Sequence, residues 1–253
     1  MDNIGLEEEE IAAIDYELSQ IESKLEKLKD QKTILISRKN KLKDQILKRK
    51  SENLASRNWS LKNFPWSAQV DSVLKKTFKI SEFRPLQLEA INATLSKEDT
   101  ILIMPTGGGK SLCYQLPALI DNGITLVVSP LVSLMEDQIM GLKKINYPAL
   151  MLSANSSKEE TAEAMAALKE PSSKIKLIYV TPEKLHKSKR FMSMLQKCGE
   201  QGRFARLAID EVHCCSVWGH DFRPDYNYLG PLRGMFPDTP VLGLTATSTS
   251  KVN

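Results

Sequence analysis

Through the first fifty residues, apolar side chains return at alternating steps of three and four: Ile11, Ile14, Leu18, Ile21, Leu25 and Leu28, then Leu35, Leu42 and Ile46. Lys32 and Lys39 fall on the same seam. This is heptad spacing, and it predicts a coiled-coil helix over residues 1–50. The stretch has no proline and only one glycine, Gly5, so nothing in it breaks a helix. A helix of about 40 residues is about 60 Å long. One helix cannot bury such a seam alone. Either it pairs with another copy, giving a homo-oligomer through residues 11–46, or it lies as an amphipathic helix on the rest of the chain. Charge is polarised along it, from Glu7–Glu10 to Lys48–Lys50.

Residues 51–65, with Ser, Asn, Arg and Pro65, read as a linker. From Trp66 onward the pattern changes. Short apolar runs predict strands at Thr100–Ile103, Thr125–Ser129, Leu150–Leu152, Leu177–Val180, Arg206–Ile209 and Val241–Gly243. Between them, helical periodicity marks Lys110–Leu119, Val132–Lys144, Lys158–Lys169 and Pro182–Leu195. Fully apolar strands alternating with helices predict an α/β domain over residues 66–253, built on a buried, mainly parallel sheet. In that architecture a ligand sits at the carboxyl ends of the strands.

Composition narrows this only a little. The 253 residues are 42% hydrophobic, enough for a substantial core, and the net charge of +4 is compatible with a polyanionic partner without requiring one. Cys113, Cys198, Cys214 and Cys215 show neither C-x-x-C spacing nor disulfide-scaffold density, and read as reduced thiols of an intracellular protein. The acidic N-terminus lacks a signal pattern, and no apolar run reaches the roughly 18 residues of a membrane helix. The expectation is a cytosolic or nuclear protein with no membrane partner.

The chemistry concentrates at two strand ends. The strand ending at Ile103 runs through Met104 into Pro105, Thr106, Gly107, Gly108, Gly109, Lys110 and Ser111, and then into a helix. That is the context of a phosphate-binding loop. Glycines let backbone N–H groups turn inward around phosphates, and the helix N-terminus adds positive potential. Lys110 is placed to reach the β and γ phosphates, and Ser111 to hold Mg²⁺. The strict pattern has glycine where Met104 stands. The second strand, Leu207–Ile209, ends in Asp210, Glu211, Val212 and His213. Asp210 is placed to hold Mg²⁺ and Glu211 to polarise an attacking water. Read alone, an Asp-Glu pair is equally a helix's acidic first turn. His213, Cys214, Cys215 and His220 fit no standard zinc spacing.

With these motifs on the page, the chain from about Trp66 onward resembles the superfamily-two helicases, and among them the RecQ DNA helicases. Phe83–Gln87 is similar to the adenine-reading motif, which implies that Gln87 contacts adenine. Pro130–Gln138 and Val180–Glu183 look like single-strand contact motifs. Asp210–His213 matches the Asp-Glu-x-His box, and Gly243–Thr247 the motif that couples nucleotide state to strand movement, through His213, Thr245 and Thr247. The most discriminating match is Ser216–Tyr226, similar to the aromatic-rich loop of RecQ proteins. Trp218 and Phe222 there can stack on unpaired bases with Arg223 beside them. Taken as composition, the same aromatics read as core residues under a loop. The helical N-terminus further resembles the short animal members of the family.

The resemblance implies a RecA-like P-loop lobe, ATP and Mg²⁺ as cofactors, DNA (single strands and fork junctions) as partner, 3′–5′ unwinding and a nuclear location. It also implies a fragment: such motors use two lobes, and the second supplies an arginine to the γ-phosphate. The zinc and winged-helix regions of RecQ proteins have no match here either. Two other readings stand beside it. One is an RNA-directed helicase, against which the Trp218–Tyr226 loop argues. The other is a non-catalytic product acting through its coiled coil as interaction partner or decoy.

Overall fold

The heptad stretch is a single helix, α1, spanning Asn3–Ser56 in a computed structural model that describes residues 3–215, 226 and 228–246. It continues through the first six residues of the expected linker, because Ser51–Ser56 contains neither proline nor glycine. Its seam positions are exposed from Ile11 to Ile46: Ile14 and Leu25 are each 50% exposed and Leu35 63%. The chain divides into two compact units, Met1–Asn58 and Trp59–Asn253.

The rest of the expected linker belongs to the second unit. The rings of Trp59, Phe64 and Trp66 stack in series, with centroids 6.1 and 5.4 Å apart. Asn92, fully buried, holds the run in place. Its Nδ2 donates to the carbonyls of Trp59 (2.8 Å) and Leu61 (3.1 Å), and its Oδ1 accepts from Trp66 Nε1 (2.9 Å).

The second unit then runs α2 (Ser67–Lys76), α3 (Gln87–Leu95), β1 (Thr100–Ile103), α4 (Leu112–Ile120), β2 (Ile124–Val128), α5 (Val132–Lys144), β3 (Ala149–Leu152), α6 (Lys158–Lys169) and β4 (Leu177–Val180). It continues with α7 (Pro182–Lys187), α8 (Lys189–Glu200), β5 (Phe204–Ile209), a 3₁₀ turn (Val212–Cys215), α9 (Leu229–Met235) and β6 (Val241–Thr245). The strands form one parallel sheet in the order β1-β6-β5-β2-β4-β3, as the apolar runs predict. The helix expected over Pro182–Leu195 is two helices. They part at Ser188, whose hydroxyl accepts from Phe191 N–H and so starts α8 afresh.

Successive strand residues face opposite sides, so the sheet carries a core on each face. Leu126, Val128, Ile178, Val180 and Leu207 pack on one face with α6 and α8 residues such as Leu168 and Leu195. Val127, Leu177, Tyr179 and Ala208 pack on the other with Tyr114 and Met135. A third cluster, including Val70, Leu74, Ile91 and Leu116, joins α2, α3 and α4. Arg206 on β5 is fully buried, and its guanidinium meets Asp121 Oδ2 at 2.7 Å. It also donates to Thr94 Oγ1 and to the Thr94 carbonyl, pinning the end of α3 to the sheet. Burial lowers its pKa and Asp121 opposes that shift, as a paired buried cation requires.

Candidate nucleotide site

β1, β5 and β6 lie side by side, and their carboxyl ends bring the two motifs together. Chain leaves β1 at Met104, whose N–H donates to the Thr245 carbonyl (3.0 Å) at the end of β6. The loop then turns through Gly107 (φ +77) and Gly109 (φ +88), left-handed conformations that favour glycine. Gly108 is needed for a different reason. A Cβ there would strike Met104 Cγ and come within 2.9 Å of the Pro105 carbonyl oxygen. Met104, in place of the customary glycine, thus fills space against the loop's own middle glycine. Lys110 Nζ donates to the Met104 carbonyl (3.1 Å), and Ser111 is the N-cap residue of α4.

The Phe83–Gln87 segment is fastened to this loop. Arg84 donates through Nη1 to the Gly107 carbonyl. Gln87 is buried, and its Nε2 donates to the Gly109 carbonyl (3.0 Å) while its Oε1 accepts from Arg84 N–H (2.8 Å). Each end of that amide keeps one further hydrogen-bonding capacity.

Asp210 follows β5, 9% exposed. Its Oδ2 accepts from Ser129 Oγ (3.3 Å) at the end of β2, and its Oδ1 from Glu211 N–H (3.1 Å). Burial above all, then the charge of Glu211, raises the Asp210 pKa, while those hydrogen bonds and the charge of Lys110 oppose the shift. Glu211 adopts φ +51, and its Oε2 lies 3.2 Å from His213 Nδ1. The same Nδ1 is 2.9 Å from Thr245 Oγ1, which joins the acidic motif to β6. Tyr226 donates from its hydroxyl to the Asp210 carbonyl (3.0 Å).

Thr106, Gly107, Gly109, Lys110 and Ser111 line one cleft of about 530 Å³ together with Gln87, Asp210 and Glu211. That volume suits a nucleotide. The donor set also suits the cation expected with it. A serine hydroxyl and a carboxylate are hard oxygen donors of the kind Mg²⁺ takes, leaving its other positions to water and phosphate.

Of the residues the sequence singles out, Gln87, Thr106, Gly107, Gly109, Lys110, Ser111, Asp210 and Glu211 line this cleft, Gly108 stands in the same loop without lining it, and His213 and Thr245 meet each other. Trp218, Phe222, Arg223 and Thr247 lie outside the described residues. Sequence reading singles out neither Ser129 nor Gln115, and takes Gln138 only as the end of a single-strand contact motif. Gln115 and Gln138 line the cleft, and Gln115 Nε2 donates to Gln138 Oε1 (2.9 Å), tying α4 to α5. Ser129 carries one usable signal, its position directly after an apolar strand. Gln115 carries its place one turn after Ser111, but its pairing with Gln138 carries no signal, because α4 and α5 meet only in the fold.

Comparison with known proteins agrees with this geometry. The DEAD/DEAH box helicase family model matches residues 84–253. The chain is 50% identical to the mouse (Mus musculus) ATP-dependent DNA helicase Q1 over 245 residues, which is 96% of this chain and 38% of that protein. It is 46% identical to the Xenopus laevis RecQ-like DNA helicase BLM over 211 residues, 83% of this chain and 16% of that protein. Among solved structures, DUF1998 helicase MrfA bound to DNA superposes with a TM-score of 0.59 at 21% identity, covering 76% of this chain and 28% of that one, a likeness of fold.

Proposed function

The chain belongs to the DEAD/DEAH box helicase family, among its RecQ-type members, and from that premise we propose that it is the ATP-binding lobe of an ATP-dependent 3′–5′ DNA helicase that unwinds duplex DNA in repair, recombination or replication. One observation carries the reading: the glycine loop with Lys110 and the Asp210–Glu211 pair line the same cleft.

In this reading Gln87 selects adenine with its remaining amide capacity. The amides of Thr106–Gly109 and the start of α4 surround the phosphates, and Lys110 exchanges the Met104 carbonyl for phosphate oxygens. Ser111 and Asp210 hold Mg²⁺, which neutralises phosphate charge when bound. Glu211 accepts a proton from the attacking water. His213 and Thr245, with Thr247 beyond, pass the state of the cleft to the DNA side, where Trp218, Phe222 and Arg223 grip unpaired bases. The DNA partners are single strands and fork junctions, the location is nuclear, and α1 joins copies of the chain.

The 253 residues span 38% of the length of the mouse relative and supply one lobe. A γ-phosphate arginine from a second lobe contributes about 10³–10⁵ in rate, so this chain alone binds ATP and turns it over very slowly. The test is ATP binding and turnover by the 253-residue chain, with and without single-stranded DNA, beside Lys110→Ala. The expected result is binding that weakens about 10²-fold in Lys110→Ala, the scale of one lost charged contact to an anion, with negligible turnover in either. Equal nucleotide affinity in the two proteins would refute the site. Fast DNA-stimulated turnover would refute the half-site reading.

A further inference from the structure

The charge along α1 is divided at its middle. Asn3–Leu28 holds eight acidic and two basic residues, and Lys29–Ser56 holds nine basic and three acidic ones. An exposed apolar seam runs across both halves, from Ile11 to Ile46. Two identical helices of this kind can pair in either direction, and the flanking charges decide which.

Placed parallel and in register, the helices put like against like. With Ile11 at the first core position of its heptad, the flanking contacts become Glu10 with Asp15, Glu17 with Glu22, Lys24 with Lys29 and Arg38 with Lys43 of the second copy. Lys32 and Lys39 would each face their own duplicate inside the seam. Turned antiparallel, every one of these conflicts is removed. Leu25 then packs on Leu28 of the second copy, Leu18 on Leu35 and Ile11 on Leu42. Lys32 lies against Ile21 and Lys39 against Ile14, where the lysine stems cover the isoleucines and the ammonium groups reach out to acids on either side. The flanking contacts become Glu8 with Lys43, Glu17 with Arg38 and Glu22 with Lys29.

We propose that α1 pairs with α1 of a second copy of this chain as an antiparallel coiled coil, centred between Leu25 and Leu28. This deepens the coiled-coil reading of residues 11–46 and rests on it, independently of the nucleotide site. The polarised charge then has a definite role. It excludes the parallel arrangement and carries the two attached lobes to opposite ends of the pair.

Spin labels on Cys variants of the 253-residue chain test the direction, with the labelled unsubstituted chain as baseline for the native cysteines. Glu9 and Asp44 both lie on the outer face of the helix, at heptad positions away from the seam. In the antiparallel pair, two labels at Glu9→Cys lie about 50 Å apart. A mixture of Glu9→Cys and Asp44→Cys chains gives about 20–25 Å, the width of two packed helices with outward labels. A Glu9→Cys distance of about 20–25 Å would overturn the antiparallel direction and leave the coiled coil standing. A chain that sediments as a monomer at tens of micromolar would overturn both. Neither result bears on ATP binding, which is measured separately.

Discussion

Leu126, Val127 and Val128 on β2 are 0% exposed, while Leu25, Leu28 and Leu35 on α1 are 50%, 61% and 63% exposed. Both segments carry regularly placed apolar residues, yet those of β2 are covered within the second unit and those of the α1 seam are exposed. The period of the pattern makes the difference. Continuous runs of four to six residues become strands, and β2, β4 and β5, inside the sheet, are covered on both faces. A stripe repeating every seven residues has no neighbour within its own helix to cover it. Burial near 25 cal/mol per Å² therefore stabilises the second unit from within and has no counterpart inside α1 itself.

Tryptophan fluorescence separates the two regions, since Trp59, Trp66 and Trp218 all lie outside α1. The largest expected effect is Arg206→Ala. It leaves Asp121 without its buried cation and costs about 3–5 kcal/mol, so the tryptophan-detected melt falls sharply. An unchanged melt would show that the buried pair does not hold α3 to the sheet. His213→Ala comes next. With a second lobe supplied in trans, it lowers DNA-stimulated turnover about tenfold, the scale of one lost charged hydrogen bond, and leaves ATP affinity unchanged. A parallel loss of ATP affinity would make His213 part of the binding site itself. Ser157→Ala removes the capping box that starts α6, in which Ser157 and Glu160 bond reciprocally at 3.1 and 2.8 Å. It costs about 1 kcal/mol, again read by tryptophan melting. Last, Leu25→Lys with Leu28→Lys abolishes self-association in sedimentation and shifts the tryptophan melt by less than about 0.5 kcal/mol. A larger shift would mean that the second unit depends on the helix pair.

The parts of the molecule that could be read in advance are those written locally. β1 and β4 fall at Thr100–Ile103 and Leu177–Val180 as the apolar runs predict, and α5 and α6 begin and end at the residues their periodicity marks. The phosphate loop is equally local, since its glycines and Lys110 are consecutive. The break at Ser188 was hidden because a capping serine resembles an ordinary helix residue until its hydroxyl is seen to accept from Phe191 N–H. The short helices α2, α3 and α9 were missed because each has at most three turns, too few for a period to emerge. Strand order was not legible either, because every strand is a similar apolar run. Ser129 reaches Asp210, and Gln138 the cleft, from elements that only the sheet order brings near them.

Thr245 accepts the N–H of Met104 at its carbonyl and meets His213 at its hydroxyl, while Met104 takes Lys110 at its own carbonyl and His213 takes Glu211. These contacts form one continuous chain from the Lys110 ammonium to the Glu211 carboxylate. Its members come from three strand ends, joined through the backbone at Met104 and the Thr245 carbonyl and through the side chains of Lys110, Thr245, His213 and Glu211. Substitution therefore acts unevenly along it: Met104 contributes only backbone groups, so a change of its side chain leaves both contacts in place, whereas a change at Lys110, His213 or Glu211 removes a link.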